Sequence, residues 1–149
     1  MAEDTILKLM ESHHILIEEL FKLFRSELNE DPKRAEKSFL EFSWELKKHF
    51  FVEESAIFDF LPIKDFGVFD IISHLKDEHL AMLIDLKKIA DSLPNVREED
   101  IENFYKILDS HRQIEDKNLY PKLDKEMRAE QKKEIILRIN QVPMGTKRQ

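Results

Sequence analysis

The sequence predicts an all-α protein, an up-down-up-down four-helix bundle with a short C-terminal helix. Apolar residues recur every three or four positions through most of the chain, which is the spacing of one face of an α-helix, and no segment alternates in the manner of a strand. Proline, asparagine and glycine interrupt this spacing at only a few points. Because short connections join long helices, successive helices are expected to pack antiparallel.

Each predicted helix has its own start or stop signal. Helix 1 covers about 5–29, with Asp4 or Thr5 as its N-cap, and Asp31-Pro32 provides a cap and a first-turn proline for helix 2. Pro62 ends helix 2. The remaining segments are a loop over 63–67, helix 3 over about 68–91, a break at 93–95, helix 4 from about 98 to 121, a short helix over about 126–140 and a polar tail over 143–149.

The composition bounds the class of protein. A chain of 149 residues that is 42% hydrophobic is expected to form a single domain over 1–149, with its bundle core at about 5–121. The net charge of -7 disfavours nucleic acid as a partner, and no long basic run favours a membrane surface. The absence of cysteine leaves only nitrogen and oxygen ligands for a metal. Neither a signal peptide nor a membrane span is visible, so a cytoplasmic location is expected.

Four of the six histidines fall on core-facing stripes of four different predicted helices. His74 shares a face with charged residues and is expected to be exposed, whereas His14 lies on the flank of the helix 1 stripe. A neutral imidazole on a core-facing stripe needs a polar partner, and converging imidazoles with nearby carboxylates favour a metal site. The four core-facing histidines are His13, His49, His79 and His111.

Two of these stripes also carry a glutamate four residues after the histidine, as His49/Glu53 and His111/Glu115. Residues i and i+4 project from adjacent turns of one helix face, so each pair can bind one metal ion or two adjacent ions. A single histidine on an apolar stripe is more often a hydrogen-bonded core residue. The presence of a core-facing histidine on each of four helices favours the metal site.

A weak internal repeat relates the two halves of the chain, because 9–20 resembles 75–86 and 49–58 resembles 111–120. Each half therefore supplies two histidines and one glutamate. This pattern suits two metal ions bridged by two carboxylates better than it suits a single ion. Nitrogen-rich ligation with bridging carboxylates favours iron, with manganese or zinc as alternatives.

These residues resemble the hemerythrin-like family, whose domain is described as HHE cation-binding, over roughly 5–121. The matching motifs are His49-Phe50-x-x-Glu53-Glu54 and His111-x-x-x-Glu115 followed by Leu119-Tyr120-Pro121. The resemblance implies a non-haem di-iron site in which Glu53 and Glu115 bridge two iron ions that an oxo or hydroxo group also joins. It implies that the histidine ligands are His13, His49, His79 and His111.

Two positions differ from oxygen-carrying hemerythrins. Their further histidine on the third helix corresponds to Leu75 here, which would leave one metal with an open position, and their fourth-helix bridging carboxylate corresponds to Asp116. The remaining set is similar to the di-iron domains of bacterial iron-sulfur-cluster repair proteins, without the cysteine-bearing segment often found there. His14, His74 and Asp116 are secondary candidates for metal ligands.

Three functional hypotheses follow. The first is a di-iron module that binds a small diatomic ligand, O2 or NO, for sensing, storage or iron handling. The second is an enzyme for NO or peroxide reduction or iron-sulfur cluster repair, with an external electron donor because the chain has no cysteine. The third is a metal-free helical interaction protein. Tyr105 and Trp44 are candidates for outer groups of the site, and the oligomeric state stays open.

Overall fold

The computed structural model describes residues 5–61 and 67–145, and all regular structure in these two ranges is helical. The prediction of an all-α protein is therefore confirmed. Within the described ranges, no helix is both long and apolar enough to cross a membrane. The α-helices are α1 (Ile6–Glu30), α2 (Pro32–Val52), α3 (Phe69–Ser92), α4 (Glu98–Ile114), α5 (Tyr120–Glu126) and α6 (Ala129–Asn140), and two π-helical segments are π1 (Glu53–Phe58) and π2 (Glu115–Leu119).

The capping residues predicted from the sequence begin α1 and α2. The Thr5 hydroxyl accepts a hydrogen bond from the Lys8 amide at 3.0 Å, and the Asp31 carboxylate accepts one from the Arg34 amide at 3.4 Å. Pro32 lies in the first turn of α2, where a backbone N–H would have no partner within the helix, so the N–H that proline lacks is not needed. The other predicted cap Asp4, the stop at Pro62, positions 63–66 of the loop and positions 146–149 of the tail lie outside the described residues.

Helices 2 and 4 depart in the same way from the continuous α-helices that the sequence predicts. α2 changes to π1 after Val52 and α4 changes to π2 after Ile114, and the amide of Asp59 donates to the Glu54 carbonyl five residues earlier at 2.8 Å. Pro121 lies in the first turn of α5 instead of ending a helix. The short C-terminal helix begins at 129, three residues later than predicted. Apolar periodicity is too coarse to reveal one extra residue in a single turn.

The buried apolar residues form two clusters. One, here called the α6 cluster, includes Ile6, Met10, Leu75, Tyr120 and Ile135. The other, here called the phenylalanine cluster, includes Phe21, Phe24, Phe39, Phe42 and Phe104. Along each of the four long helices, buried polar residues lie between members of the two clusters, as His13 and His14 lie between Met10 and Ile17 on α1.

Candidate metal centre

Six buried histidines and glutamates meet in the polar layer between the two apolar clusters. α1, α2, α3 and α4 each supply one histidine, and each π-helical segment begins with one of the glutamates. These side chains form two groups in which one potential ligand atom from each residue lies within 4.8 Å of the others. The groups are Glu53, His79, His111 and Glu115, and His14, His49 and Glu115.

Each glutamate lies between two histidines and contacts both of them. Glu53 Oε1 lies 3.2 Å from Nε2 of His49 and 3.2 Å from Nε2 of His79. Glu115 Oε1 lies 3.1 Å from Nε2 of His14, and its Oε2 lies 3.3 Å from Nε2 of His111. All four Nε2 atoms therefore face the two carboxylates, and each carboxylate lies between two imidazoles.

The outward Nδ1 atoms of these histidines have partners of their own. Three of them contact carboxylates, which accept a hydrogen bond from Nδ1 and thereby leave Nε2 with the lone pair that a metal requires. The hydrogen bonds join His79 to Glu54 at 2.8 Å, His111 to Glu78 at 2.8 Å and His14 to Asp116 Oδ2 at 3.2 Å. Asp116, a secondary ligand candidate in the sequence, thus contacts the outer nitrogen of an imidazole.

His13 and His14 are both buried, and His14 instead of His13 belongs to one of the two groups. His13 lies outside both groups, and its Nδ1 is 3.1 Å from Nδ1 of His49. The expectation that His14 stays on the flank of α1 is wrong, because it is 7% exposed and its Nε2 is 3.2 Å from Nε2 of His49. The buried face of α1 is wide enough to take both neighbours, so the stripe alone did not separate them. His74 is exposed, lies outside both groups and contacts Glu78.

Burial favours the neutral form of three imidazoles. It lowers the pKa of His13 to about 3, and it lowers the pKa of His49 and of His111 below the ordinary value. Burial also opposes a charge on His79, but hydrogen bonds to Glu53 and Glu54 outweigh it and raise the His79 pKa. Burial raises the pKa of Glu53, and the neighbouring His49 and His79 lower it by more. The lowered pKa values of His49 and His111 favour neutral imidazoles, and that of Glu53 favours an ionised carboxylate, which are the forms that bind a cation.

Several inward-facing atoms have no hydrogen bond within the described part of the chain. They are Nε2 of His111 and both carboxylate oxygens of Glu115, all fully buried. A buried polar atom without a partner is costly in free energy, and this cost disappears when the atom binds a metal ion. The donor set therefore fits one or more bound cations.

Tyr120 is a further member of the site that the sequence analysis did not identify. Its hydroxyl donates to Oε2 of Glu53, and its ring stacks on His14 with centroids 6.3 Å apart. The internal repeat aligns Tyr120 with Phe58, which stacks on His79 at 6.1 Å. That alignment was the signal available in the sequence. Tyr105, predicted as an outer group, instead stacks against Phe21 in the phenylalanine cluster.

The comparisons with known proteins agree with this geometry. The family model described as "Hemerythrin HHE cation binding domain" matches residues 5–123, a range that includes all six clustered side chains. No curated protein and no solved structure matches the chain. Because the family model spans most of the sequence, the protein belongs to the hemerythrin HHE cation-binding domain family.

Proposed function

We propose that the protein is a hemerythrin-like non-haem di-iron protein that binds O2 or NO in its core, for sensing, storage or iron handling. This proposal rests on one observation. Each buried glutamate contacts two imidazoles, and these two imidazoles belong to different ligand groups. One ion alone does not need carboxylates in such positions, whereas two adjacent ions are bridged by them.

In this proposal His14 and His49 hold one metal, and His79 and His111 hold the other. Glu53 and Glu115 bridge the two, so His14 takes the ligand role that the sequence assigned to His13. The nitrogen-rich donor set favours iron, with manganese or zinc as alternatives. When bound, two iron ions would supply redox chemistry and coordination positions open to a small ligand.

The chain's aromatic side chains have a separate role in excluding water. Phe50 stacks on His79 with ring centroids 3.9 Å apart, and Phe58 stacks near the same imidazole. Tyr120 is fully buried and holds Glu53 in place through its hydroxyl. A dry site strengthens the electrostatic interactions that retain a cation and its ligand.

An enzyme that reduces NO or peroxide, or repairs iron-sulfur clusters, is the second candidate. Two imidazoles and two carboxylate oxygens for each metal leave coordination positions that a substrate could occupy. Such an enzyme needs an external electron donor, because the chain has no cysteine. The buried atoms of Glu115 without partners argue against a metal-free interaction protein.

The proposal includes an up-down-up-down order of the four long helices in a single domain. α1 runs from the α6 cluster at Met10 to the phenylalanine cluster at Phe21, and α3 likewise runs from Leu75 to Met82. α2 and α4 meet the two clusters in the opposite order. This alternation supports antiparallel neighbours.

Metal analysis and an absorption spectrum of the protein purified without added metal test the proposal. We expect about two irons per chain and absorption from an oxo or hydroxo bridge. His49→Ala should remove most of the iron, whereas His74→Ala should retain it because the His74 side chain is 57% exposed and lies outside both ligand groups. A stable parent protein that takes up no metal would contradict the proposal.

A further inference from the structure

A groove of about 800 Å³ lies on the outside of the bundle, between α2 and α3. Its floor is apolar, because the buried side chains of Phe39, Phe50 and Leu86 line it. Its rim carries the exposed side chains of Leu40 and Phe51. The groove is therefore an apolar surface that the protein presents to solvent.

Exposed apolar residues continue from the groove along both helices. Five of the nine large apolar side chains that are exposed in the described ranges lie here, and their spacings of four and seven residues place them on one stripe of each helix. They are Leu40, Trp44 and Phe51 on α2 and Leu80 and Ile84 on α3. Single exposed apolar residues are ordinary on a protein surface, whereas a continuous patch marks an interaction site. The groove and these five residues are here called the α2–α3 face.

Two opposite charges on the α2–α3 face lie on either side of Phe51. Lys47 lines the groove four residues before Phe51 and makes no ion pair within residues 5–61 and 67–145. Glu54 lines it three residues after Phe51, accepts a hydrogen bond from His79 and keeps a side chain that is 42% exposed. Other charges on or beside the face already form ion pairs within the chain. These pairs are Lys87–Asp91 at 3.2 Å and Lys76–Asp59 at 3.4 Å.

This arrangement is complementary to itself under a twofold rotation. With the axis beside Phe51, α2 of a second copy lies antiparallel to α2 of the first, and Lys47 of each copy faces Glu54 of the other. The two Phe51 rings then meet at the axis. Use of the same patch on both subunits is the pattern of a twofold interface. A partner that carried charge of only one sign would face a like charge at Lys47 or at Glu54, which is costly in an interface.

We propose that the α2–α3 face is the interface of a homodimer, in which a second copy of this chain packs against it about a twofold axis beside Phe51. The inference goes beyond the proposed function and does not depend on bound metal. It has one consequence for the metal centre. The interface covers the exposed part of Glu54, whose Oε2 lies 2.8 Å from Nδ1 of His79. Lys47 of the second copy thus contacts the carboxylate that orients a proposed ligand.

Light scattering after size-exclusion chromatography tests the dimer in the full-length protein. We expect the parent to have twice the mass of one chain. Phe51→Glu should raise the dimer dissociation constant by at least about 30-fold, because a charge replaces an aromatic side chain at the centre of the interface. Ile15→Glu is the matched control, since Ile15 on α1 is 57% exposed and Phe51 is 61% exposed. Its dissociation constant should stay as in the parent.

Lys47→Glu tests the charge complementarity of the two copies. We expect it to raise the dissociation constant by about tenfold, because two like charges then face each other at each end of the interface. Lys106→Glu makes the same change at an exposed lysine of α4 that does not line the groove. The dissociation constant of this control should equal that of the parent.

Phe51→Cys tests the position of the twofold axis. The chain has no cysteine, so a disulfide-linked dimer can form only through the introduced thiol. A twofold axis brings equivalent residues beside it close together, and a disulfide needs its two Cα atoms within about 7 Å. Mild oxidation with oxidised glutathione should therefore link Phe51→Cys into a covalent dimer on a non-reducing gel. Ile15→Cys should run as a single chain.

The outcomes separate this inference from the proposed function. A parent protein that stays monomeric at every concentration up to the millimolar range would overturn the dimer. A dimer that Ile15→Glu weakens as much as Phe51→Glu does, or that Ile15→Cys cross-links as readily as Phe51→Cys does, would overturn the α2–α3 face as its interface. All of these measurements use the metal-free protein, so a chain that bound no iron would refute the proposed function alone.

Discussion

The His49 imidazole is held at both of its nitrogens. Its Nε2 faces Glu53 and His14, and its Nδ1 meets Nδ1 of His13. Consecutive histidines on α1 therefore act on opposite sides of the same ring. His14 is a proposed ligand, and His13 orients the proposed ligand His49 through the contact with its Nδ1.

Replacing His13 and His14 one at a time tests these two different roles. We expect His14→Ala to lower the iron content of the purified protein to less than about half, because a metal ligand is lost. In His13→Ala the iron affinity should fall by about 10- to 100-fold, as is usual when the partner of a ligating histidine is removed. Competition with a chelator measures both affinities. A stronger effect in His13→Ala than in His14→Ala would return His13 to the ligand set.

Tyr120→Phe removes a single oxygen from the core. Because the buried hydroxyl donates to the charged Glu53, its loss should lower the free energy of unfolding by about 1.5–3 kcal/mol in the metal-free protein. Urea denaturation measures the change. Tyr105→Phe makes the same chemical change at a half-buried ring of the phenylalanine cluster and should have little effect. Equal losses in both variants would argue against the role of the Glu53 hydrogen bond.

Acid should destabilise the metal-free protein. Burial lowers the pKa of His13 to about 3, so the folded state stays neutral there while the unfolded state takes up a proton below about pH 6.5. His49 and His111 shift in the same direction, and His79 shifts in the opposite one. The free energy of unfolding should therefore fall between pH 7.5 and pH 5, by up to about 1.4 kcal/mol per pH unit for each such group.

Urea denaturation at the two pH values checks this expectation in the parent and in His13→Gln. The variant lacks one group whose pKa is lowered, so its loss of stability with acid should be smaller. A parent protein as stable at pH 5 as at pH 7.5 would contradict the pKa directions.

At the scale of elements, both π-helical segments begin at the glutamate of a His-x-x-x-Glu pair. A π-helical turn holds an extra residue, so it rotates the residues that follow relative to a continuous α-helix. After π1 this brings Phe58 against His79, and after π2 it brings Tyr120 against His14 and Glu53. The two segments thus place equivalent aromatic rings of the α6 cluster against the polar layer.

The sequence predicts local features of these elements better than the contacts between them. Thr5 and Asp31 each accept a capping hydrogen bond from the amide three residues later, and the stripes through His49 and His79 depend only on helical spacing. The π-helical segments and the hydroxyl of Tyr120 against Glu53 depend on packing between distant residues. His14 was misjudged because two adjacent residues of α1 are both buried, which an apolar stripe does not predict.

Asp124 joins the first turn of α1 to α5. Its carboxylate accepts hydrogen bonds from the amides of Ile6 at 2.9 Å and Leu7 at 3.0 Å. Asp124→Asn removes the negative charge from a helix N-terminus and one acceptor, so the free energy of unfolding should fall by about 1–3 kcal/mol in urea denaturation. Asp91→Asn, at an exposed pair with Lys87, should change it by much less. Equal effects would show that Asp124 contributes only as a surface charge.

At the scale of the whole molecule, the polar layer separates two apolar clusters, and bound metal should stabilise the fold. In the metal-free protein the buried carboxylate oxygens of Glu115 make no hydrogen bond within the described residues, although imidazoles lie close to both. Metal at about 100 times its dissociation constant adds ~2.7 kcal/mol, which corresponds to a rise in Tm of about 5–10 °C for a chain of this size. Calorimetry with and without a chelator measures this rise. His49→Ala should abolish this rise in Tm. A parent Tm that is the same with and without the chelator would contradict metal binding.

The two apolar clusters also differ in when they can form during synthesis of the chain. The buried members of the phenylalanine cluster lie between positions 17 and 104, so all of them are synthesised before His111 and Glu115. The α6 cluster joins Ile6 and Met10 to residues as late as Ile139, so its last members are synthesised after His111 and Glu115. His111 and Glu115 emerge between these two stages. All six clustered side chains have therefore been synthesised once Glu115 is added, before the last members of the α6 cluster.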